Sequence, residues 1–163
     1  MQLSNIVIHH SATVDGGVFD WKAIENYHKS WKCEGVSYSY GDAQKLIKQG
    51  KKVDKPWDYI GYHFGVEDVG GRITGLIGRP LNINGAHCTE KNMNSTSIGI
   101  CIVGNYDLIA PSTAVLGYLV TFLLKPLMEM LKIKKENVYF HREFAPKTCP
   151  GKLFLKDSLL KML

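Results

Sequence analysis

The chain has 163 residues, of which 45% are hydrophobic and 21% charged, a balance typical of a folded globular protein and not of a disordered one. A chain of this length is expected to bury one hydrophobic core, so we predict a single domain over residues 1–163. The formal net charge of +5 and the pI near 9.0 favour a polyanionic partner, but charge does not choose among nucleic acid, an anionic membrane and an anionic cell wall.

The first part of the chain predicts a strand, a helix and a long polar segment. The β-branched run NIVIHH is typical of a central strand whose last residues, His9 and His10, emerge at a loop. After Asp20 as a candidate N-cap, helical spacing of four side chains predicts a helix with one apolar face: Trp21, Ile24, His28 and Trp31. Residues 33–58 are polar and contain glycines, with a short helix at DAQKLIKQG, which indicates an insertion or long loop.

The rest of the chain alternates between strand and helix patterns. Residues 61–77 contain two β-like runs around a Gly-Gly turn, which predicts a hairpin, and SIGICIVGNY predicts another buried strand. A long helix is expected over residues 112–131 with Ser112 as N-cap, and the short strand NVYF then runs into His141. LFLKDSLLKML predicts a final amphipathic helix. The expected fold is an α/β domain with a mixed central β-sheet and helices on both sides.

Two of the predicted strands end in histidines, and a cysteine follows the second one. Ends of neighbouring strands face a shared crevice, so His9, His141 and Cys149 are candidates for one site. Imidazole and thiolate together suit zinc, and three protein ligands leave a fourth tetrahedral position open, as in catalytic zinc sites. Pro146 and Pro150 are expected to fix the loop around Cys149. Taken singly, each of the three is more typical of a structural residue: His9 of a core histidine, His141 of a surface histidine and Cys149 of a buried thiol.

Five segments occur in the order and approximate spacing of the type 2 N-acetylmuramoyl-L-alanine amidases: IVIHHSAT, GYHF, GAHC, NSTSIGICIVGNY and FHREFAPKTCPG. The chain resembles the bacteriophage T7 lysozyme-like branch of this family, which is related to the peptidoglycan recognition proteins. The resemblance implies an amidase fold and a zinc enzyme with one Zn²⁺ per chain. Its reaction would be hydrolysis of the amide between N-acetylmuramic acid and the L-alanine of the peptidoglycan stem peptide.

The resemblance also implies roles for particular residues. The zinc ligands would be His9, His141 and Cys149. Tyr62 and Lys147 match the two catalytic positions, and a cation two residues before a ligand could stabilise an oxyanion. Tyr62 could hold the attacking water or pass a proton to the leaving nitrogen, and the general base stays open because some relatives have glutamate there. His87 matches a substrate-binding position of the cleft, with a purely structural role as the equal alternative.

The other histidines and cysteines are expected to be structural. Alternation along a strand turns His10 away from the side that His9 faces, and His63 is expected to point away from the cleft beside Tyr62. His28 is expected at the edge of the core and Cys101 inside it. Because the four cysteines are widely scattered, no disulfide framework is expected, and no role is predicted for Cys33 and Cys88.

Alternatives to a peptidoglycan amidase concern both function and location. A non-catalytic peptidoglycan-binding module on the same fold would typically lack a ligand, whereas Cys149 is present. Nucleic acid is not an expected partner because the sequence has no arginine-rich helix or aromatic-basic pattern. No apolar run approaches roughly 18 residues and the start lacks signal-peptide features, so we expect cytoplasmic synthesis and no membrane insertion. A phage endolysin reaching the wall by holin-type release and a cytosolic muropeptide-recycling amidase both fit, and a monomer is expected.

Overall fold

Strands and helices alternate along the part of the chain that the computed structural model describes, residues 2–13 and 20–163. The strands are β1 (Asn5–His10), β2 (Trp31–Cys33), β3 (Val36–Tyr38), β4 (Phe64–Val69), β5 (Arg72–Ile77), β6 (Ser97–Ile102) and β7 (Val138–Phe140). The α-helices are α1 (Asp20–His28), α2 (Tyr40–Lys48), α3 (Met93–Thr96), α4 (Thr113–Tyr118), α5 (Lys125–Leu131) and α6 (Lys156–Lys161). A π-helical segment, Leu119–Leu124, joins α4 to α5, and 3₁₀ turns cover Glu90–Asn92, Lys135–Asn137 and His141–Glu143.

Five of the strands form the central sheet, in the order β5-β4-β6-β1-β7. The β4–β5 pair is antiparallel, whereas β4–β6, β1–β6 and β1–β7 are parallel, so the predicted mixed sheet is confirmed. The predicted hairpin is β4–β5, and Gly70 and Gly71 form its turn with φ of +61° and +84°. Two consecutive left-handed residues are the requirement of a type I′ turn, which explains the glycine pair.

Alternate residues of β6 explain how both faces of the sheet are covered. Ile98 and Ile100 belong to the main core under the long helix α4–α5, which contributes Leu119 and Leu124. Cys101 points to the other face and packs in a second cluster with Trp21 of α1. Because side chains alternate along a strand, the helices must lie on opposite faces of the sheet.

The segment between α1 and β4 differs from the sequence-based expectation. The helical spacing predicts Trp31 as the last member of the apolar face of α1, but α1 ends at His28 and Trp31 begins β2. Ser30 ends the helix because its hydroxyl donates a hydrogen bond to the Tyr27 carbonyl, 2.7 Å away. The segment at 33–58, predicted as an insertion or long loop, contains β3 and α2, and the latter begins two residues before the predicted short helix.

The long helix from α4 to α5 tests the expectation that no segment of the chain is long and apolar enough to span a membrane. Thr113–Leu131 has a mean hydropathy of 1.6 over 18 residues, so this described helix is long and apolar enough to cross a bilayer. Measured by mean hydropathy, the expectation that no segment is long and apolar enough to cross a bilayer is wrong. That expectation considered only unbroken apolar runs, and Gly117, Thr121 and Lys125 interrupt the apolar run of this helix. Of this 18-residue window, 28% is buried, and because core helices of globular proteins pass the same test, one such helix does not by itself assign the chain to a membrane.

Candidate metal centre and catalytic site

The parallel pairing of β1 and β7 brings His9 and His141 to the same edge of the sheet. Their ring centroids are 4.5 Å apart, and Cys149 lies on the loop that follows the 3₁₀ turn His141–Glu143. His9 Nδ1 and Cys149 Sγ are 3.7 Å apart. One ligand atom from each of the three side chains lies within 4.8 Å of the other two. The three predicted zinc ligands are therefore close enough to share one ion, although their role as ligands stays a prediction.

The Cys149 loop is held in place from two sides. On one side, Arg142 donates from its backbone N–H to the Cys149 carbonyl over 2.8 Å and from Nη1 to the Gly151 carbonyl over 2.6 Å. On the other side, the Asp107 carboxylate accepts hydrogen bonds from Thr148 Oγ1 at 2.7 Å and from the Lys152 backbone N–H at 2.9 Å. These bonds fix the backbone on both sides of the cysteine and leave its thiol directed toward the β1 end.

Burial decides which protonation states the site favours. It is the largest cause of the lowered pKa of both His9 and His141, and Lys147 lowers both further, so the two imidazoles are held neutral. Burial also raises the pKa of Cys149 to about 11, although the His10 backbone N–H, 3.4 Å from the sulfur, and Lys147 lower it. Neutral imidazole is ready to bind a metal, whereas the thiol must exchange its proton for the ion.

Tyr62 and Lys147 lie in the same cleft as the three candidate ligands. A cavity of about 390 Å³ is lined by Tyr62, Lys147 and the three candidate ligands, and the rings of Tyr62 and His9 are 5.2 Å apart. Burial, followed by the nearby Cys101 and Cys149 thiols, raises the pKa of Tyr62 well above its usual value. The phenol is therefore protonated near neutral pH and can act as a hydrogen-bond donor. Both catalytic assignments stay predictions.

A second cavity of about 360 Å³ continues the cleft on the other side of Lys147 and His141. Trp57 lines it, so the segment at 33–58 contributes to this part of the cleft. Cys88 and Glu90 also lie there, and with His141 they form a second group whose ligand atoms are within 4.8 Å of one another. The Cys88 thiol is 3.4 Å from Glu90 Oε2, and burial and this carboxylate raise its pKa to about 11. This second group of potential ligands shares His141 with the group formed by His9, His141 and Cys149.

The sequence analysis did not single out Trp57 or Glu90 individually as cleft residues. Trp57 lies at the end of a polar segment without periodicity, and Glu90 follows the GAHC motif by two residues. That proximity to a motif is the only sequence signal for Glu90. The segment between β3 and β4 offers no comparable signal for Trp57.

Three of the remaining histidines accept hydrogen bonds from the backbone. The Nδ1 atoms of His10, His28 and His63 accept from the N–H groups of Tyr106 at 3.2 Å, Gly61 at 3.2 Å and Gly99 at 3.0 Å, respectively. These contacts give all three a structural role. The four cysteines are free, and Cys33, Cys88 and Cys101 are buried.

His87 lies directly behind His9. The two rings meet edge to face, with His87 Nδ1 3.0 Å from His9 Nε2, and His87 is 9% exposed. The ring of His87 borders both cavities. Its predicted role in substrate binding stays a prediction.

The described structure places two histidines, a cysteine, a lysine and a tyrosine in one cleft at the end of a mixed sheet, in agreement with the family that the sequence motifs resemble. A family model described as N-acetylmuramoyl-L-alanine amidase, Amidase_2, matches residues 1–152, and the chain belongs to this family. The family resemblance found in the sequence motifs is thereby confirmed.

Similar proteins include phage endolysins and animal recognition proteins. The chain is 33% identical over 121 residues to an endolysin of Klebsiella phage KP32, a match that covers 73% of this chain and 76% of the relative. It is 34% identical over 154 residues to peptidoglycan-recognition protein SC2 of Drosophila simulans, covering 91% and 68%. The solved structure of the N-acetylmuramoyl-L-alanine amidase LysC from Clostridium intestinale superimposes with a TM-score of 0.63 at 22% identity, covering 98% and 83%, and shows that the fold is shared.

Proposed function

We propose that this protein is a zinc-dependent N-acetylmuramoyl-L-alanine amidase that acts as a phage endolysin. The reaction is hydrolysis of the amide between N-acetylmuramic acid and the L-alanine of the stem peptide. The observation that carries the proposal is the convergence of His9, His141 and Cys149 at one edge of the sheet, with ligand atoms within 4.8 Å. Membership of the amidase family and similarity to phage endolysins support the reaction and the biological role.

The donor set fits one zinc ion per chain. Two neutral imidazoles and one thiolate are typical zinc ligands, and the adjoining cavity of about 390 Å³ leaves room for water and substrate at a fourth position. The chemistry that a bound zinc ion supplies is polarisation of a carbonyl and activation of water near neutral pH. The two imidazoles and Cys149 would hold the ion, and Asp107 and Arg142 would keep the Cys149 loop in position.

Lys147 and Tyr62 would act on the amide itself. The Lys147 ammonium lines the cleft beside the candidate ligands and would stabilise the negative charge that develops on the carbonyl oxygen during attack. The Tyr62 phenol, which is protonated near neutral pH, would donate a hydrogen bond in the same cavity. Its position beside His9 is compatible with holding the attacking water or with passing a proton to the leaving nitrogen.

The proposed partner is peptidoglycan, a polyanionic polymer that suits the net charge of +5. The cleft runs from the metal group to Trp57, which offers an exposed aromatic surface next to it. We further propose that the protein acts as a monomer and leaves the cytoplasm through a holin-type pore. An enzyme that is made in the cytoplasm and acts on the wall would need a route of this kind.

Mass spectrometry of digested peptidoglycan tests the reaction. Purified protein is incubated with peptidoglycan, with and without a chelator and added zinc, and the soluble products are analysed. The expected products are intact stem peptides with a free L-alanine amino terminus, formed only when metal is present. Binding to the wall without such products would favour a recognition module, and activity in fully metal-free protein would reject the metal-dependent mechanism.

A comparison of substrates tests the endolysin role. An endolysin must act on cross-linked walls, whereas a recycling amidase acts on soluble muropeptides. We expect release of stem peptides from intact cross-linked sacculi at a rate comparable to that from soluble muropeptides. Cleavage confined to the soluble muropeptides would favour the recycling enzyme instead.

A further inference from the structure

His87 contacts a candidate metal ligand through one of its two ring nitrogens. His9 has its Nδ1 3.7 Å from Cys149 Sγ and its Nε2 3.0 Å from His87 Nδ1. One nitrogen of His9 therefore faces the candidate metal group and the other faces His87. Because His9 is 1% exposed, solvent does not compete for this hydrogen bond.

The His9–His87 contact allows only one proton arrangement that is compatible with metal binding. A nitrogen that binds a metal must carry no proton, and Nδ1 is the His9 nitrogen beside Cys149. The proton of neutral His9 must then be on Nε2, which donates to His87 Nδ1 at 3.0 Å. His87 in turn must carry its own proton on Nε2, on the opposite side of its ring.

The surroundings of His87 agree with that arrangement. Its Nε2 is buried and makes no hydrogen bond of ordinary geometry with the described residues, while the Ser97 carbonyl acts on this ring as an acceptor. Since Nδ1 faces His9 Nε2 and the Ser97 carbonyl accepts from the other side of the ring, Nδ1 of His87 is placed as an acceptor rather than as a donor.

Two glycines leave the space that the His87 ring occupies. A Cβ atom at Gly85 would lie 2.5 Å from His87 Cδ2, and one at Gly99 would lie 2.3 Å from the same atom. Asn94 Oδ1 accepts hydrogen bonds of 2.8 Å from the backbone N–H groups of both His87 and Cys88. The ring is thus held between two glycines by a fixed backbone, which is how a side chain that orients another would be built.

We propose that His87 is a positioning residue for the metal centre: it accepts the Nε2 proton of His9 and so keeps His9 in the tautomer whose Nδ1 is free for zinc. His87 acts through His9 and needs no contact with substrate. Outer-shell partners of this kind orient ligating imidazoles and raise metal affinity. The inference rests on the zinc site of the proposed function, and its tests do not use peptidoglycan turnover.

The ring-nitrogen chemical shifts of the metal-free protein test the proton arrangement directly. Two-bond ¹H–¹⁵N correlation spectra near pH 7.5 show which nitrogen of each imidazole carries a proton. We expect protons on Nε2 of both His9 and His87, and loss of the slowly exchanging His9 Nε2 proton in His87→Leu. A proton on His87 Nδ1 in the wild-type protein would overturn the proposal, and this observation requires no variant.

Zinc affinity tests the consequence for the metal. In competition with a chromogenic chelator, His87→Leu should bind zinc about 10- to 100-fold more weakly than wild type. His87→Gln keeps an oxygen acceptor and should retain affinity within several-fold. His28→Gln serves as the matched control, because His28 accepts from the Gly61 backbone and contacts none of the three candidate ligands. Its affinity should equal that of wild type.

Two results would contradict the positioning role. Wild-type zinc affinity in folded His87→Leu would show that His9 needs no acceptor. Equal losses in His87→Leu and His87→Gln would show that packing of the ring, and not the hydrogen bond, matters. If His87→Leu does not fold, the Gln variant and the wild-type spectrum decide. A protein that passes these tests but releases no stem peptides would refute the proposed reaction and leave the positioning role intact.

Discussion

Lys147 is a charged residue in the cleft whose effect on catalysis can be separated from metal binding. It precedes Cys149 by two residues and lines both cavities beside His141. Lys147→Met removes the ammonium and keeps most of the side-chain volume. We expect turnover of peptidoglycan to fall about 100-fold or more, as for loss of an oxyanion donor, with zinc content unchanged.

The matched control for Lys147 is Lys152→Met on the same loop. Lys152 is exposed, and its backbone N–H, which the substitution preserves, makes the contact with Asp107. Turnover by this variant should equal that of wild type. Wild-type turnover in Lys147→Met would remove Lys147 from the mechanism.

Cys149→Ser tests which of the two cysteine-containing groups binds the metal. A serine hydroxyl gives up its proton far less readily than a thiol, so we expect weaker zinc binding, measured as zinc per chain after dialysis against a mild chelator. Cys88→Ser is the control, because Cys88 belongs to the second group of potential ligands, with Glu90. It should retain one zinc ion. Retention by Cys149→Ser together with loss in Cys88→Ser would place the ion in the other group.

The candidate site was predictable from sequence only where motifs and strand ends coincide. His9 and His141 follow strand patterns directly, and parallel pairing of β1 and β7 brings them to one edge. The contact between His9 and His87 joins residues that are 78 positions apart, and no local pattern encodes it. It depends on the space that Gly85 and Gly99 leave for the His87 ring.

At the scale of elements, Gly65 shows how closely α1 packs against the sheet. A Cβ atom at Gly65 in β4 would lie 2.4 Å from Cζ3 of Trp21, which is 8% exposed. Gly65→Ala should therefore lower the free energy of unfolding by about 1–3 kcal/mol, as expected for overpacking in a core. The measurement is urea unfolding followed by circular dichroism.

Gly117 provides the opposite case within the long helix. Apart from the backbone of its own helix and its chain neighbours, no atom of the described residues lies within 4 Å of a Cβ at this position. Gly117→Ala should therefore raise the free energy of unfolding by about 0.5–1 kcal/mol through the helix propensity of alanine. Equal effects of the two substitutions would show that the contact with Trp21 does not restrict β4.

Element types were easier to predict from sequence than element ends. β1 and β6 are confirmed because buried strands are continuous apolar runs, and Ser112 caps α4 as expected, accepting a hydrogen bond from the Val115 N–H at 3.2 Å. The end of α1 was missed because Trp31 keeps the helical spacing while Ser30 has already ended the helix. The pairing of Lys32 with Asp54, which closes the segment between them, is a contact that spacing does not reveal.

At the scale of the whole molecule, the six histidines act together on stability. Each has a lowered pKa with burial as the largest cause, and that of His28 falls to about 4. Between about pH 6.5 and 4 the unfolded chain therefore binds more protons than the folded chain. The free energy of unfolding should be highest above pH 6.5. Below that pH it should fall by roughly 1.4 kcal/mol per pH unit for each histidine that stays neutral in the folded protein while it is protonated in the unfolded chain.

Urea unfolding of the metal-free protein at several values between pH 8 and pH 4.5 measures this dependence. His28→Gln should have a shallower slope, by about one proton, within the same interval. If the free energy of unfolding does not change between pH 8 and pH 4.5, protonation of the buried imidazoles does not destabilise the folded protein.

The place of β1 in the sheet also has a consequence for how the protein is made. β1 lies between β6 and β7, so Ile6 pairs with Ile98 on one side and with Val138 on the other. During translation this apolar strand leaves the ribosome long before either neighbour does. It gains its first partner when β6 emerges and its second only when β7 emerges. Nascent chains should therefore stay sensitive to proteases, and dependent on chaperones, until β7 (Val138–Phe140) has left the ribosome.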